Sequence, residues 1–221
     1  MRYRWPGRAS FDMFLPEFNL DTGETVLLLG QSGSGKSTLL SLVCGTIAPQ
    51  SGAVHVAGED LATLSSAKRD QFRAEQIGLI FQQFNLLPFA SVMDNILLPL
   101  RFAPKRKGRV KNATEQAKQL CKYLGLPDDV LDAKASQLSV GQQQRVAAAR
   151  ALIGTPPLII ADEPTSALDA TTQSVFLELL FNQSRANGTS LLMVSHDARL
   201  ADQFDRVVHM TDITKTTRGP I

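Results

Sequence analysis

The chain has few of the residues that build disulfide frameworks or metal centres. Its 221 residues include two cysteines and three histidines, and neither set shows the short spacing of metal ligands. A disulfide framework is therefore not expected, and the cysteine usage fits a reducing cytosol. No run approaches the roughly 18 consecutive apolar residues of a membrane-spanning helix. Any membrane role is therefore expected to come through a partner.

The chain also has no marked excess of charge of one sign. Its formal net charge is +2, with 43% hydrophobic and 20% charged residues. This is ordinary globular composition, and it gives no reason to expect nucleic acid as a partner. Wholly apolar runs at 158–161 and 191–194 alternate with helical stretches. Strands buried on both faces and separated by helices predict a parallel sheet in an α/β layer fold.

What the sequence does contain is a phosphate-binding loop between a strand and a helix. The apolar run 26–29 is followed by the pattern G-x-x-x-x-G-K-[ST] and then by a helix rich in leucine. Such glycines let successive N–H groups point at a phosphate chain, and the helix N-terminus favours negative charge. Lys36 is expected to reach the β- and γ-phosphates, and Ser37 to hold Mg²⁺. The residues expected to bind a nucleotide here are Gly30, Gln31, Ser32, Gly33, Ser34, Gly35, Lys36, Ser37 and Thr38.

Acidic and histidine side chains follow two of the apolar strands. Asp162 and Glu163 come directly after the first, and His196 follows the second with Ser195 between them. The carboxyl ends of parallel strands are where such sheets bind ligands. Asp162 is expected to hold Mg²⁺, directly or through water, and Glu163 to polarise an attacking water. His196 would contact the γ-phosphate. The alternative, that these side chains only cap helices, is disfavoured by their order along the chain.

A second candidate anion site lies ahead of these strands. Ser139 and Gly141 are predicted to open a helix over 140–152, which we call the signature helix. A helix N-terminus of this kind suits a phosphate group. Because one nucleotide does not need two such helix ends from one chain, this second site would serve a nucleotide held by another molecule.

Taken together and in this order, the motifs resemble those of the ATP-binding subunits of ABC transporters, over essentially the whole chain. The resemblance also includes Gln82 after a strand and the segment 166–169. It implies an α/β fold: a P-loop NTPase core with a mainly parallel sheet, an antiparallel β subdomain and an inserted α-helical subdomain. It further implies a single nucleotide-binding domain over 1–221, with the helical subdomain inserted at roughly 84–145.

The resemblance implies a dimeric mechanism with ATP and Mg²⁺. Two copies face each other head to tail, and each nucleotide lies between one phosphate loop and the other copy's Ser139, Gly141 and Gln142. Asp169 links the two sites. A catalytically active ATP hydrolase is expected, because the phosphate-loop lysine, the acidic pair and the histidine are all present.

The same resemblance assigns roles to individual residues. Glu163 is the general base, His196 the γ-phosphate switch, and Gln82 a Mg²⁺ sensor that passes closure to an integral membrane permease. Trp5 stands where the family stacks an aromatic ring on adenine; the alternative is an aromatic residue of a surface strand. Val140 stands where glycine is usual and is expected to tighten or slow closure of the dimer.

Segments 86–88 and 95–100 look most like the lipoprotein-release and macrolide-export branch of the family. The implied location is the cytoplasm, peripheral on the inner face of the cell membrane through the permease. A soluble ABC ATPase of a non-transport assembly system, such as iron–sulfur cluster assembly, shares every motif and remains the alternative.

Two further segments carry expectations about surfaces. The run 101–111 holds six basic residues and is interpreted as a solvated loop between two helices, with an anionic lipid or nucleic-acid contact as the alternative. The apolar stretch 83–89, which ends in Phe89, is interpreted as a docking groove for the permease. The alternative for it is packing beneath the helical insertion.

Overall fold

The computed structural model describes residues 1–5, 11–166 and 168–218. The strands are β1 (Arg2–Arg4), β2 (Phe11–Phe14), β3 (Thr25–Leu29), β4 (His55–Val56), β5 (Glu59–Asp60), β6 (Ile77–Ile80), β7 (Leu158–Asp162), β8 (Ser190–Ser195), β9 (Arg206–His209) and β10 (Lys215–Arg218). The α-helices are α1 (Lys36–Val43), α2 (Ser66–Gln76), α3 (Val92–Phe102), α4 (Pro104–Gly108), α5 (Ala113–Tyr123), α6 (Val140–Leu152), α7 (Ala170–Ala186) and α8 (Met210–Ile213).

A five-stranded sheet in the order β6-β7-β8-β3-β9 forms the centre of the fold, and all its neighbouring strands are parallel. Every residue of β3 and β8 is buried, as expected for strands covered on both faces. Side chains of β3 alternate between two cores. Leu27 and Leu29 pack with α3, α6 and α7, whereas Val26 and Leu28 pack with α1 and the N-terminal strands. The predicted parallel α/β core is confirmed.

A separate antiparallel sheet in the order β1-β2-β10 packs against α1. The antiparallel subdomain implied by the resemblance is therefore present. The apolar residues at 15–20 suggest short strands from sequence, and this is wrong, since no strand is assigned there. Leu15 is nonetheless buried in the same core. The turn expected at Pro6-Gly7 lies outside the described residues.

The helices between β6 and β7 pack on one another and on one face of the parallel sheet. Helix α6 covers 140–152, as predicted for the signature helix. The exact limits of a helical subdomain at roughly 84–145 stay a prediction.

The interpretation of the basic segment 101–111 as a loop is wrong, since most of it is helical, although five of its six basic residues are exposed as expected. Pro104 begins the short helix α4, which suits a residue that lacks an N–H to donate. Arg106 is 1% exposed. Its guanidinium donates to carbonyl oxygens at the ends of α2 and α6 and just beyond them, which are those of Ala74, Ile77, Arg150, Ala151 and Ile153. The buried charge is tolerated because it is hydrogen-bonded.

Candidate nucleotide site

The phosphate loop connects β3 to α1 through two left-handed glycines. Gly33 has φ 76° and Gly35, the N-cap of α1, has φ 99°. A Cβ on Gly35 would lie 2.5 Å from the Met13 methyl carbon, so packing as well as φ requires glycine there. The loop is therefore tightly curled, with its backbone closing over the start of α1.

Polar groups of the loop converge inside this curl. The Lys36 ammonium donates to the carbonyl oxygens of Gly30 and, at 3.2 Å, Gln31. The Ser34 hydroxyl oxygen is buried, and within the described part of the chain it has no hydrogen-bond partner. Ser37 is exposed on the first turn of α1. A helix N-terminus with an orphaned hydroxyl and a lysine beside it suits a phosphate group.

The acidic pair and the histidine meet at the carboxyl ends of β7 and β8. Asp162 ends β7 and is paired with Val194 of β8. Glu163 follows with φ 48°, and its N–H donates to the Val194 carbonyl at 2.9 Å. This places Glu163 Oε2 2.6 Å from His196 Nδ1. The structure thus joins the predicted base and the predicted switch in one hydrogen bond.

Burial, and secondarily the neighbouring Glu163, raise the pKa of Asp162 above its usual range, and Lys36 opposes this shift. A carboxylate whose charge is disfavoured by burial gains from a nearby cation. Mg²⁺ prefers carboxylate and hydroxyl oxygens, so the Asp162 carboxyl near Lys36 fits a metal-bound phosphate chain.

Trp5 lies beside the start of α1. Its indole Nε1–H donates to the Thr38 hydroxyl at 3.1 Å, and its ring stands edge-on to Tyr3 with centroids 5.3 Å apart. It is half-buried. Trp5 is thus attached to the helix that carries the phosphate loop. Its stacking on adenine stays a prediction.

The signature helix presents its N-terminus to the surface. Ser139 is the N-cap, and its hydroxyl accepts from the Gln142 N–H at 3.3 Å while the Gln142 side chain accepts from the Ser139 N–H at 2.9 Å. Val140 is 50% exposed, and a Cβ added to Gly141 would meet no atom within 4 Å. Val140 therefore leaves the cap intact and projects from an open face.

Gln82 and Asp169 lie in less constrained places. Gln82 is exposed in the turn after β6. Asp169 is the N-cap of α7 and accepts from Thr172 and Thr171, which lowers the pKa of its carboxyl. The structure thus shows a capping role for Asp169, and its role between two sites stays a prediction. Ala167 of the 166–169 segment lies outside the described residues.

Sequence reasoning missed Arg150, a buried arginine of α6 that donates to the carbonyl oxygens of Phe84 and Asn85. One signal for it was available. Arg150 is the only charged residue in the apolar run 146–152, and arginine is seldom fully buried unless it is paired.

The curled glycine loop between a buried parallel strand and a helix, with carboxylates and a histidine at neighbouring strand ends, defines a P-loop nucleotide-binding ATPase. The sequence profile described as ABC transporter matches residues 16–166. The chain belongs to the ABC transporter family, and it is an ATP-binding cassette of the ABC ATPase type.

Two curated relatives agree with the predicted branch. The chain is 42% identical over 194 residues to the macrolide export ATP-binding/permease protein MacB of Rhodopirellula baltica, covering 88% of this chain and 28% of that protein. It is 41% identical to the lipoprotein-releasing system ATP-binding protein LolD of Xanthomonas oryzae pv. oryzae, covering 88% and 78%. The chain thus spans well under half of the macrolide exporter's length.

Solved structures agree with the fold. The ATP-binding cassette MJ0796, in a dimeric post-hydrolysis state bound to ADP and Pi, is 32% identical with a TM-score of 0.79, covering 100% of this chain and 96% of that one. The protein cbiO1 of Clostridium perfringens, part of the ABC transporter complex cbiONQ, is 28% identical with a TM-score of 0.73, covering 87% of this chain and 75% of that one. Across the described residues, no helix is both long and apolar enough to cross a membrane.

Proposed function

We propose that this chain is the ATP-binding and ATP-hydrolysing subunit of a transporter of the lipoprotein-release or macrolide-export type, coupling ATP-driven dimerisation to a membrane permease. The observation that carries the proposal is the 2.6 Å contact between Glu163 and His196 at the sheet edge that carries the phosphate loop. The relatives named for lipoprotein release and macrolide export favour transport over the alternative of a cluster-assembly ATPase.

The residues present fit Mg²⁺ and ATP. Ser37, Asp162 and Gln82 would hold the metal, which supplies charge neutralisation at the β- and γ-phosphate oxygens. Lys36 and the N–H groups of the loop bind the phosphate chain. The fit is supported by the tight glycine cradle and by the buried Ser34 hydroxyl, which finds no partner among the described residues.

Glu163 takes up the proton of the attacking water, and His196 orients it. Because a carboxylate only accepts, the His196 Nδ1 atom must carry a proton to bond Glu163. The Nε2 atom can then donate to a phosphate oxygen only when it carries a proton as well, so that both ring nitrogens are protonated. Through these two hydrogen bonds, His196 connects the general base Glu163 to the γ-phosphate.

A second copy of the chain completes each site. Ser139, Gly141 and Gln142 form an open helix N-terminus on the surface, and such an end suits a phosphate. The dimeric cassettes among the solved structures favour this arrangement. Only ATP brings a γ-phosphate to the facing helix, so ATP and not ADP holds the two copies together.

Sedimentation of the Glu163→Gln chain tests this proposal. The variant binds ATP without consuming it, so it is expected to be a dimer with Mg²⁺-ATP and a monomer with ADP. The Lys36→Ala, Glu163→Gln double variant is the matched control and should remain a monomer in both. A Glu163→Gln chain that is monomeric under all nucleotide conditions would contradict the shared site.

The permease is proposed to dock in a cavity of about 630 Å³ between α2, α3 and β6, which keeps the subunit peripheral on the inner face of the membrane. Phe81, Leu98, Pro99 and Phe102 contribute its apolar lining, and Phe102 is 66% exposed. Phe89 is 74% exposed, and it is not among the residues that line this cavity. Asn85 of the stretch 83–89 also lines the cavity, so the proposed groove extends from that stretch toward α3.

Phe102→Asp is expected to abolish co-purification with a permease co-expressed from the neighbouring reading frame, because it places a charge in the apolar lining. Tyr123→Asp is the matched control, since Tyr123 is similarly exposed at 60% and does not line the cavity. Co-purification of Phe89→Asp with the permease tests whether the docking surface also includes Phe89. ATP binding should be unchanged in all three. Retained association of Phe102→Asp would place the groove elsewhere.

A further inference from the structure

Arg150 joins two parts of the cassette that the mechanism uses separately. It lies near the end of α6 and is 8% exposed. Its Nη1 atom donates to the Asn85 carbonyl at 2.7 Å, and its Nη2 atom donates to the Phe84 carbonyl. Phe84 and Asn85 follow Gln82 by two and three residues. One guanidinium therefore ties the turn after Gln82 to the signature helix.

The turn that Arg150 holds is one the chain does not adopt easily. Phe84 has φ 58° and Asn85 has φ 49°, in the left-handed region, which asparagine adopts at a small cost and phenylalanine at a larger one. Such residues persist where the surroundings hold them. Here the Phe84 ring is buried at 6% exposure, and Arg150 takes both backbone carbonyls. The planar fork of arginine suits two adjacent oxygens.

The same guanidinium also borders the proposed docking cavity. Arg150 and Asn85 both line it, beside Phe81 and Arg106. A partner seated in the cavity would therefore lie against the bond that joins the turn to α6. From Arg150 to the cap Ser139 the helix rises about 16 Å. Because α6 is one continuous helix, a movement of the turn would be transmitted along it to the exposed N-terminus of the signature helix.

We propose that Arg150 is a positioning residue that locks the turn after Gln82 to the signature helix, so that Gln82 and Ser139 move as one body. The proposal rests on the proposed function, in which Gln82 meets the metal of one site and Ser139 meets the nucleotide of the other. Arg150 itself contacts neither nucleotide nor metal in this scheme.

Hydrogen exchange of the nucleotide-free chain tests the lock without relying on ATP hydrolysis. Arg150→Lys replaces the rigid two-nitrogen fork with a single rotatable ammonium, which loses the fixed geometry toward the two carbonyls. Amides 82–86 are expected to exchange at least about tenfold faster, the size of one lost charged hydrogen bond. Arg106→Lys is the matched control, because Arg106 is also buried, also lines the cavity and also bonds α6 carbonyls, but not those of residues 84 and 85. It should leave exchange of 82–86 unchanged.

Metal dependence of ATP hydrolysis provides the second readout. Arg150→Lys is expected to raise the Mg²⁺ concentration for half-maximal rate by about tenfold, because Gln82 is no longer held, with Mg²⁺-free ATP binding unchanged. Asn85→Gly should recover part of the loss, since glycine adopts the left-handed turn without help. Thr155→Gly, which relieves another left-handed residue at φ 45°, should recover none.

The outcomes separate the proposal from the function on which it rests. A wild-type chain that binds ATP without Mg²⁺-dependent hydrolysis contradicts the proposed function, and the exchange experiment still decides the lock. Unchanged exchange of 82–86 in Arg150→Lys overturns the proposal. So does equal acceleration in Arg106→Lys, or equal rescue by Asn85→Gly and Thr155→Gly, because either result means that Arg150 acts only through general stability.

Discussion

The phosphate loop and the buried arginines Arg106 and Arg150 are both polar centres, but they are assembled in different ways. In the loop, Lys36 bonds carbonyls only six and five residues away. Arg106 bonds carbonyls 29 to 47 residues away, and Arg150 bonds two that lie 66 and 65 residues away. The loop is a local structure that a motif can encode, whereas the arginine centre exists only after four segments have packed.

The difference predicts different consequences of substitution. Damage to the nucleotide site should remove chemistry and leave the fold intact. Loss of Arg106 should remove stability first. Four variants test this contrast, and they are given in decreasing order of expected effect.

Glu163→Gln should lower the steady-state ATPase rate by about 10²–10⁴-fold, because an amide cannot take up the proton of the attacking water. The amide oxygen can still accept from His196, so ATP binding and the unfolding free energy should be close to those of the wild type. Both are measured on the same preparation. Near-wild-type hydrolysis would remove Glu163 from its assigned role.

Arg106→Met should lower the free energy of unfolding by about 3–5 kcal/mol, since it removes the charged partner of several buried carbonyls. Urea denaturation of the isolated chain measures this. Lys107→Met on the same helix is exposed and should change stability by no more than about 0.5 kcal/mol. Equal effects of the two substitutions would contradict a structural role for Arg106.

Trp5→Ala should weaken ATP binding by roughly 1–3 kcal/mol if the indole stacks on adenine. Trp5→Phe separates the two contacts of this residue, because it keeps an aromatic face and loses the hydrogen bond to Thr38. Calorimetric titration should show that phenylalanine recovers most of the affinity. Equal affinity for Trp5→Ala and the wild type would make Trp5 a structural residue of its strand.

The smallest effect is expected at acid pH in the antiparallel sheet. Hydrogen bonds from Arg2 and Arg4 lower the pKa of Asp12 to about 2. Because this folded-state pKa is below the ordinary value of 3.8, the contribution of Asp12 is present above about pH 4 and lost as the pH falls toward 2.

Trp5, the single tryptophan of the chain, directly follows β1 and reports this sheet by fluorescence. Its acid-induced change between about pH 4 and 2 should be absent in Asp12→Asn. Asp197→Asn is the matched control, because Arg199 likewise lowers the pKa of Asp197 to about 2, away from the sheet. That variant should keep the change. An unaltered acid transition in Asp12→Asn would show that other groups govern the sheet.

The parts of the fold that the sequence predicted well are those with local signals. Helix α6 begins after its Ser139 cap and covers 140–152, as predicted. Its side-chain cap and its apolar residues lie within a few residues of each other. The meeting of Glu163 and His196 was also predictable, because both follow apolar strands of one parallel sheet.

The parts that were missed depend on partners distant in sequence. Strand β9 lies at the edge of the sheet that the described residues form, beside β3, and only Val207 and Val208 mark it as apolar. The basic segment was interpreted as a loop because its composition is typical of one. Nothing local distinguishes Arg106 from the five other basic residues of 101–111. Its burial is decided by α2 and α6, which supply the carbonyls.

The most direct test of the shared nucleotide site mixes two inactive chains, Lys36→Ala and Ser139→Arg. In a head-to-tail dimer of one copy of each, both defects fall in one site, and the other site keeps an intact Lys36 and an intact Ser139. We expect each variant alone to be inactive, and the equimolar mixture to recover up to about a quarter of the wild-type ATPase rate by counting mixed dimers and intact sites. A mixture no more active than either variant alone would contradict a nucleotide site shared between two copies of the chain.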